Sequence, residues 1–243
     1  MGGLDGRVVA PATRRRLMTS GRCVAAMADS HFGATALPPD VIRTLQQGIM
    51  NWSYRGRPTW KSPIDLALYT DLLWELRPRT ILEFGSNRGG SALWFADMMT
   101  TYGITDGRVF SLDIQPVDDL EDPRIVFGHC DVARPQDALS IADLRNLPKP
   151  LLVIDDASHV MEHVLSVLRF VDKALVAGDY LIVEDGILTH LGWDEHYRGG
   201  PLAALQIFLA ESGVRYAVDR ARCDAFGRNV TWNPEGYLRC IRD

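Results

Sequence analysis

Paired carboxylates follow two short apolar runs in the second half of this 243-residue chain. Asp155 and Asp156 end the first run, and Glu184 and Asp185 end the second. If the runs are neighbouring parallel strands, the four acids meet at one sheet edge and repel one another unless a cation lies between them. Mg²⁺ takes such oxygen ligands. The pattern predicts a Mg²⁺ site at Asp156, Glu184 and Asp185, and the alternative is a set of solvated strand ends or helix caps.

A histidine lies close to the first pair of acids. His159 follows Asp156 by three residues, near the start of a predicted helix. A neutral imidazole there could accept a proton from a substrate hydroxyl, so His159 is predicted to be the catalytic base. A purely structural histidine is the alternative. His163 lies one helical turn further on, but this pair without other ligands is weak evidence for zinc.

A glycine-containing loop follows an earlier apolar run and has the pattern E-x-G-x-x-x-G-G-S over residues 83–91. The pattern differs from the G-x-G-x-x-G loop that binds dinucleotides. A carboxylate such as Glu83 is a poor neighbour for a pyrophosphate but attracts ammonium and sulfonium groups. S-adenosylmethionine carries both cations, so the loop predicts that cofactor. A simple turn between a strand and a helix is the alternative.

Two further acids complete the predicted cofactor site. Asp113 ends the next predicted strand, 23 residues after Gly90, which is near the spacing at which an acid accepts hydrogen bonds from ribose hydroxyls. Asp131 ends the third strand, where it could accept from the adenine amine or simply occupy a surface turn. The predicted cofactor-binding residues are Glu83, Gly85, Ser86, Asn87, Gly89, Gly90, Ser91, Asp113, Asp131 and Asp156.

Apolar runs alternate with helical patterns along the chain, which is typical of an α/β protein with a mostly parallel sheet. We expect helices near residues 40–47, 62–76, 91–99, 160–176 and 201–212. Strands are predicted at 80–83, 108–113, 124–127, 151–154, 180–183, 214–219 and 230–232, with a further short C-terminal piece at 236–241.

The remaining segments are predicted to surround this sheet. Residues 1–30 lack the apolar core of a signal peptide and are interpreted as a flexible extension. Residues 31–243 are predicted to form one domain, with 31–78 as a helical cap or lid. The aromatic and arginine-rich loop 52–60 is either a substrate lid or a packing strap, and the loop 187–200 is interpreted as a substrate lid.

Composition narrows the class of partner. Lys and Arg number 26 against 31 Asp and Glu, so the net charge of −5 implies no basic surface for nucleic acid. No run reaches the roughly 18 apolar residues of a membrane span. The four cysteines are far apart and form no C-x-x-C pair, so we expect reduced thiols in a cytoplasmic protein, with a small-molecule partner.

Taken together, these motifs resemble the cephalosporin hydroxylase / rhamnosyl O-methyltransferase family. The similarity covers about residues 50–240, and the order of the blocks is more specific than any one of them. The blocks are Trp52, 63–66 (PIDL), 83–91 (EFGSNRGGS), 156–159 (DASH), 183–185 (VED), 200–204 (GPLAA) and 233–238 (NPEGYL).

The resemblance implies a Rossmann-like class I methyltransferase fold, a doubly wound and mostly parallel seven-stranded sheet with a C-terminal antiparallel hairpin. It also implies S-adenosylmethionine, a Mg²⁺ ion on Asp156, Glu184 and Asp185, and a homo-oligomer. The family usually has a second Asp two residues after the metal Asp, where this chain has Ser158. A general-base role for that acid does not transfer, which leaves His159.

The sequence thus predicts a Mg²⁺-dependent O-methyltransferase that acts on a hydroxyl of a sugar or a glycosylated or antibiotic natural product. Two alternatives remain open. One is an oxygenase-type hydroxylase on the same scaffold, which would need a redox metal. The other is a non-catalytic protein that binds S-adenosylmethionine as a scaffold.

Overall fold

The protein is described by a computed structural model covering residues 31–243; the extension predicted for residues 1–30 lies outside the described residues. The strands are Ser53–Tyr54 (β1), Arg57–Pro58 (β2), Thr80–Phe84 (β3), Arg108–Asp113 (β4), Ile125–His129 (β5), Leu151–Asp155 (β6), Tyr180–Val183 (β7), Tyr216–Val218 (β8) and Tyr237–Cys240 (β9). The α-helices are Pro39–Ile49 (α1), Pro63–Leu76 (α2), Gly90–Thr101 (α3), Ile141–Asn146 (α4), Met161–Val171 (α5), Gly200–Ser212 (α6) and Arg220–Cys223 (α7). Short 3₁₀ helices span Pro135–Asp137, Gly186–Leu191 and Gly213–Arg215.

The central sheet has seven strands in the order β5-β4-β3-β6-β7-β9-β8. The first five are parallel, and β9 runs antiparallel to both of its neighbours. The chain proceeds outward from β3 through β4 to β5, then returns to β6 on the other side of β3. This reversal between β3 and β6 is a topological switch point, the place where open α/β sheets bind ligands.

The C-terminal hairpin uses different residues from those that the sequence pattern indicated. The strand predicted at 230–232 is a buried loop, and β9 is formed instead by the short C-terminal piece of the prediction. The loop cannot extend the sheet because its polar groups are used elsewhere. Trp232 N–H donates to Asp65 Oδ2 at 2.7 Å, and the Thr231 hydroxyl donates to Asp65 Oδ1.

Apolar helix faces cover both sides of the sheet. Leu151 and Val153 of β6 point into a core with α5 and α6, while Leu152 and Ile154 point into a core with α2 and α3. This alternation follows from the two-residue period of a strand. Because β6 is buried on both faces, it consists only of apolar residues until it reaches the acid at its end.

The segment predicted as a helical cap divides into two parts. Helix α2 packs in the core through Leu68, Tyr69 and Leu72, whereas α1 packs with Ile187 and Trp232 near the cleft. Among residues 31–243, no helix is both long enough and apolar enough to cross a lipid bilayer.

Candidate active site

A cleft of about 1300 Å³ opens at the carboxyl ends of β3, β4 and β6. This is the position that the switch point of the sheet predicts. Glu83, Gly89 and Gly90 do not line the cleft, although the sequence pattern assigned them to cofactor binding. The predicted cofactor-binding residues that do line it are Gly85, Ser86, Asn87, Ser91, Asp113, Asp131 and Asp156.

The glycines of the loop are required by packing between protein segments. Gly85 has φ +106°, and a Cβ added there would lie 2.0 Å from the backbone oxygen of Asp156. The glycine therefore lets the loop after β3 contact the end of β6. At Gly90 a Cβ would lie 2.1 Å from Thr59 Oγ1, and at Gly89 it would meet two side chains. At these two positions protein atoms occupy the space that a Cβ would need, and their predicted role in cofactor binding stays a prediction.

Asp113 fixes the shape of the cleft from the end of β4. Its Oδ2 accepts from Asn87 N–H and its Oδ1 from Gln115 N–H, each at 2.9 Å. Asp131 Oδ1 accepts from Ala133 N–H at 2.9 Å. Each carboxylate oxygen has two lone pairs, so both acids can accept further hydrogen bonds from a ligand.

Glu83 lies beneath the loop and is completely buried. Its Oε2 accepts from Ser111 Oγ at 2.7 Å, while its Oε1 is buried without a hydrogen-bond partner. Lys61 Nζ is 3.7 Å from Oε1, beyond hydrogen-bonding distance. A buried carboxylate oxygen without a donor favours a cation nearby. Lys61 already supplies that cation and Glu83 does not reach the cleft, so a contact between Glu83 and the cofactor stays a prediction.

The acids after β6 and β7 meet because backbone hydrogen bonds continue beyond the strands. Asp156 N–H donates to Phe84 O at 2.8 Å, and Glu184 N–H donates to Asp155 O at 2.9 Å. The carboxyl ends of β3, β6 and β7 are therefore level with one another. This arrangement brings the acids after β6 and β7 to one edge of the sheet, as the sequence analysis expected, and places Glu83 of β3 at the same edge.

Asp156, His159 and Asp185 form a group that could hold a metal ion, with one ligand atom of each within 4.8 Å of the others. His159 Nε2 lies 3.2 Å from Asp185 Oδ2. Both residues have a positive φ, +57° for His159 and +61° for Asp185. Non-glycine residues are rarely held in this region, and such residues cluster at functional sites. The oxygen and nitrogen donors fit a divalent ion.

Glu184 lies beside this group and makes other contacts. Its Oε1 accepts from Lys61 Nζ and from the Tyr69 hydroxyl, both at 2.5 Å. Lys61 Nζ also donates to Asp156 Oδ2 at 2.5 Å. The sequence analysis missed Lys61, since a single lysine before a helix matches no spacing motif. Its partners are 95 and 123 residues away in the chain.

Burial dominates the electrostatics of the site. It raises the pKa of Asp155 and Glu184 to about 8, and repulsion between carboxylates adds to this shift. Burial also raises the pKa of Asp156 and Asp185. The pKa of His159 is lowered to about 4 by burial and by the charge of Lys61, so its imidazole is neutral near pH 7. The site therefore favours an added cation.

Asn233 supports Asp185 from a buried loop. Its Oδ1 accepts from Asp185 N–H at 3.0 Å, and its own N–H donates to Thr231 Oγ1 at 2.9 Å. Asn233 is completely buried. The sequence analysis had no role for this residue, and its only signal was its place in the block 233–238.

Aromatic side chains line the other part of the cleft: Trp60, Trp193, Tyr197 and Trp232. Trp60 ends the segment 52–60, which is anchored to the cofactor loop by Arg57. The guanidinium of Arg57 donates to Arg88 O at 2.7 Å and to Asp119 Oδ1 at 3.1 Å. The segment therefore has features of both predicted roles, since it packs on the loop and also presents an aromatic ring to the cleft.

The sheet order, the antiparallel strand β9 and the cleft at the switch point define a Rossmann-like class I methyltransferase. Solved structures of CmcI agree with this class. An apo structure of CmcI-N160 is similar with a TM-score of 0.61 and 30% identity, over 80% of this chain and 78% of that one. The cmcI-D160 structure with Mg and SAM has a TM-score of 0.59 and 28% identity, over 79% and 77%.

The family model for rhamnosyl O-methyltransferase/CmcI matches residues 46–241. Rhamnosyl O-methyltransferase of Mycobacterium leprae (strain TN) is 34% identical over 190 residues, which are 76% of this chain and 82% of that protein. Rhamnosyl O-methyltransferase of Mycobacterium tuberculosis (strain ATCC 25618 / H37Rv) is 32% identical over 193 residues, 76% and 77% of the two chains. The chain therefore belongs to the rhamnosyl O-methyltransferase/CmcI family of S-adenosylmethionine-dependent O-methyltransferases, and the predicted resemblance is confirmed.

Proposed function

We propose that the protein is a Mg²⁺-dependent enzyme that transfers a methyl group from S-adenosylmethionine to a hydroxyl of a sugar or glycosylated natural product. The observation that carries the proposal is the group of Asp156, His159 and Asp185, whose ligand atoms lie within 4.8 Å of one another where Asp156 and Asp185 line the cleft. The similar cmcI-D160 structure contains Mg and SAM, and the similar mycobacterial proteins are named rhamnosyl O-methyltransferases.

Asp156, Glu184 and Asp185 are the proposed metal ligands, and His159 lies beside Asp156 and Asp185. A divalent ion at this place would lower the pKa of an acceptor hydroxyl and orient its oxygen. Asn233 fixes the backbone of Asp185, so the carboxylate is positioned before any ligand arrives. Such positioning matters because methyl transfer depends on alignment.

His159 is the proposed proton acceptor. Its depressed pKa, about 4, keeps the ring neutral and free to take a proton, and it also makes the ring a weak base that needs an acidified acceptor hydroxyl. If its Nε2–H donates to Asp185 Oδ2, at 3.2 Å, then Nδ1 remains available for the substrate proton. The edge of Tyr197 packs against the ring with centroids 5.6 Å apart and limits its rotation.

The cofactor would occupy the β3–β4 side of the cleft. Asp113 can accept hydrogen bonds from ribose hydroxyls, and Asp131 can accept one from the adenine amine. Gly85, Ser86, Asn87 and the other lining residues would contact the remainder. Glu83 acts from below through its charge, which favours the ammonium and sulfonium groups.

The acceptor would occupy the aromatic side of the cleft. Trp60, Trp193 and Tyr197 offer flat apolar faces, while the polar residues Gln46 and Asn51 also line the cleft. Apolar walls with a few placed polar groups suit a ring that carries hydroxyls. A homo-oligomer is also proposed, on the family resemblance alone, and light scattering of the purified protein would test it.

The test is a methylation assay with a panel of deoxysugar glycosides, with and without EDTA. We expect consumption of S-adenosylmethionine, a product that is heavier by one methyl group, and loss of activity in EDTA that Mg²⁺ restores. Full activity in EDTA would refute the role of the metal. Calorimetry with S-adenosylmethionine accompanies the assay.

The two alternatives give different results in the same assay. An oxygenase would produce a product that gains oxygen without consuming S-adenosylmethionine. A scaffold would bind S-adenosylmethionine in the calorimeter but methylate no member of the panel. Either result would refute the proposed reaction.

A further inference from the structure

A buried lysine lies at the centre of the acidic site. The side chain of Lys61 is 2% exposed. Its Nζ is 2.5 Å from Asp156 Oδ2, 2.5 Å from Glu184 Oε1 and 3.7 Å from Glu83 Oε1. These acids follow or end three adjacent strands, β6, β7 and β3. One ammonium group therefore joins the proposed metal ligands to the acid beneath the cofactor loop.

The backbone on both sides of Lys61 is fixed. Thr59 N–H donates to Trp52 O at 3.1 Å on one side, and Ser62 Oγ accepts from Ile64 N–H at 3.2 Å at the start of α2 on the other. The backbone of Lys61 therefore cannot leave the site without rearranging the segment 52–60 or unwinding the first turn of α2, and its side chain is 2% exposed. Its charge stays close to any ion that the acids bind.

The charge of Lys61 offsets part of the charge of the acids. When a cation favours the ionised forms of Asp156, Glu184 and Asp185, they carry three negative charges, and Lys61 offsets part of that charge while it also lies 3.7 Å from Glu83. A divalent ion would offset more of it. Without the ammonium group, the same three acids would attract any cation more strongly, because opposite charges interact strongly where water is excluded.

We propose that Lys61 is a built-in counter-cation of the metal site, which holds Asp156 and Glu184 together before an ion binds and then competes with the ion for the same carboxylates. The inference rests on the proposed metal site. Lys61 is thus a positioning residue that lowers metal affinity while it stabilises the protein without metal. Removing it should make the protein depend on metal for its stability.

The experiment measures thermal unfolding and metal binding of the full chain and of Lys61→Met and Lys61→Gln. Each protein is unfolded in EDTA, in Mg²⁺ and in Mn²⁺, and Mn²⁺ binding is measured by calorimetry. In EDTA we expect both variants to melt below the wild type. On adding metal, their melting temperatures should rise more than that of the wild type, and Mn²⁺ should bind about tenfold more tightly or better.

Lys149→Met is the matched control. Lys149 Nζ is also 2.5 Å from a buried carboxylate, Asp179 Oδ2, and neither residue lines the cleft. Its loss should lower the melting temperature equally with and without metal. If the metal-induced rise for Lys61→Met equals that of the wild type, or if metal binding is lost, the inference is overturned.

Two further outcomes are informative. If neither Lys61 variant folds alone, refolding in Mn²⁺ decides: recovery of folded protein supports the counter-cation, and failure overturns it. If the wild type itself gains no stability from metal and binds none, the metal site of the proposed function fails as well. A wild type that binds metal, with Lys61 variants that bind it equally well, refutes the inference alone.

Discussion

Gly85 should be essential both for stability and for the position of a proposed metal ligand. A Cβ at residue 85 would lie 2.0 Å from the backbone oxygen of Asp156 and 2.6 Å from its carbonyl carbon. Real Cβ atoms essentially never approach closer than 3.0 Å, so Gly85→Ala must move one backbone segment by about 1 Å. Both segments are tied down, since Gly85 N–H donates to Leu112 O at 2.7 Å and Asp156 N–H to Phe84 O at 2.8 Å.

The cost of Gly85→Ala has two parts. Forcing a Cβ into a left-handed backbone costs about 1–2 kcal/mol. Overpacking against rigid neighbours costs a further ~1–3 kcal/mol. The free energy of unfolding should therefore fall by about 2–5 kcal/mol, which for a chain of this size lowers the melting temperature by roughly 4–20 °C. A displacement of Asp156 by about 1 Å should lower methyl transfer by about 100-fold.

Urea denaturation, calorimetry with Mn²⁺ and the methylation assay measure these effects. Gly103→Ala is the control, because Gly103 has φ +69° and no atom within 4 Å of an added Cβ. It should show only the backbone cost of about 1–2 kcal/mol, with unchanged metal binding. The reasoning is refuted if Gly85→Ala is no less stable than Gly103→Ala and binds Mn²⁺ as the wild type does.

Three further predictions concern single side chains. Asn233→Ala leaves Asp185 N–H without its acceptor and should weaken Mn²⁺ binding several-fold while S-adenosylmethionine binding persists. Calorimetry measures both affinities, and an equal loss of affinity for the two ligands would contradict the prediction. Ser111→Ala removes the donor to Glu83 Oε2 and should cost about 1–3 kcal/mol in urea denaturation, whereas an unchanged midpoint would show that the bond is dispensable. Trp60→Ala should raise the KM for the acceptor but not for S-adenosylmethionine, since Trp60 is 48% exposed and lines the aromatic side of the cleft. Steady-state kinetics measures both KM values, and a rise in both would show that Trp60 does not contact the acceptor alone.

Local sequence patterns were sufficient to predict most of the helices and strands of the fold. The run 151–154 contains only apolar residues because a central parallel strand is covered on both faces, so its place in the sheet could be predicted. The start of α2 was equally clear, since Ser62 is its N-cap and Pro63 its first residue. The hairpin could not be predicted in the same way. Residues 230–232 are apolar enough for a strand, but their polar groups bond to Asp65, Ile187 and Gly227 instead of to a neighbouring strand.

The sequence by itself determined that acids end neighbouring strands and that a glycine loop lies beside them, because strand ends and turns depend on residues that are consecutive in the chain. Only the tertiary structure decided how those acids are paired. Lys61 bonds residues 95 and 123 positions away, Glu184 turns toward Lys61 and Tyr69, and His159 joins Asp156 and Asp185. Such pairings depend on which side chains the packed sheet brings within a few ångströms, and no periodicity along the chain encodes them.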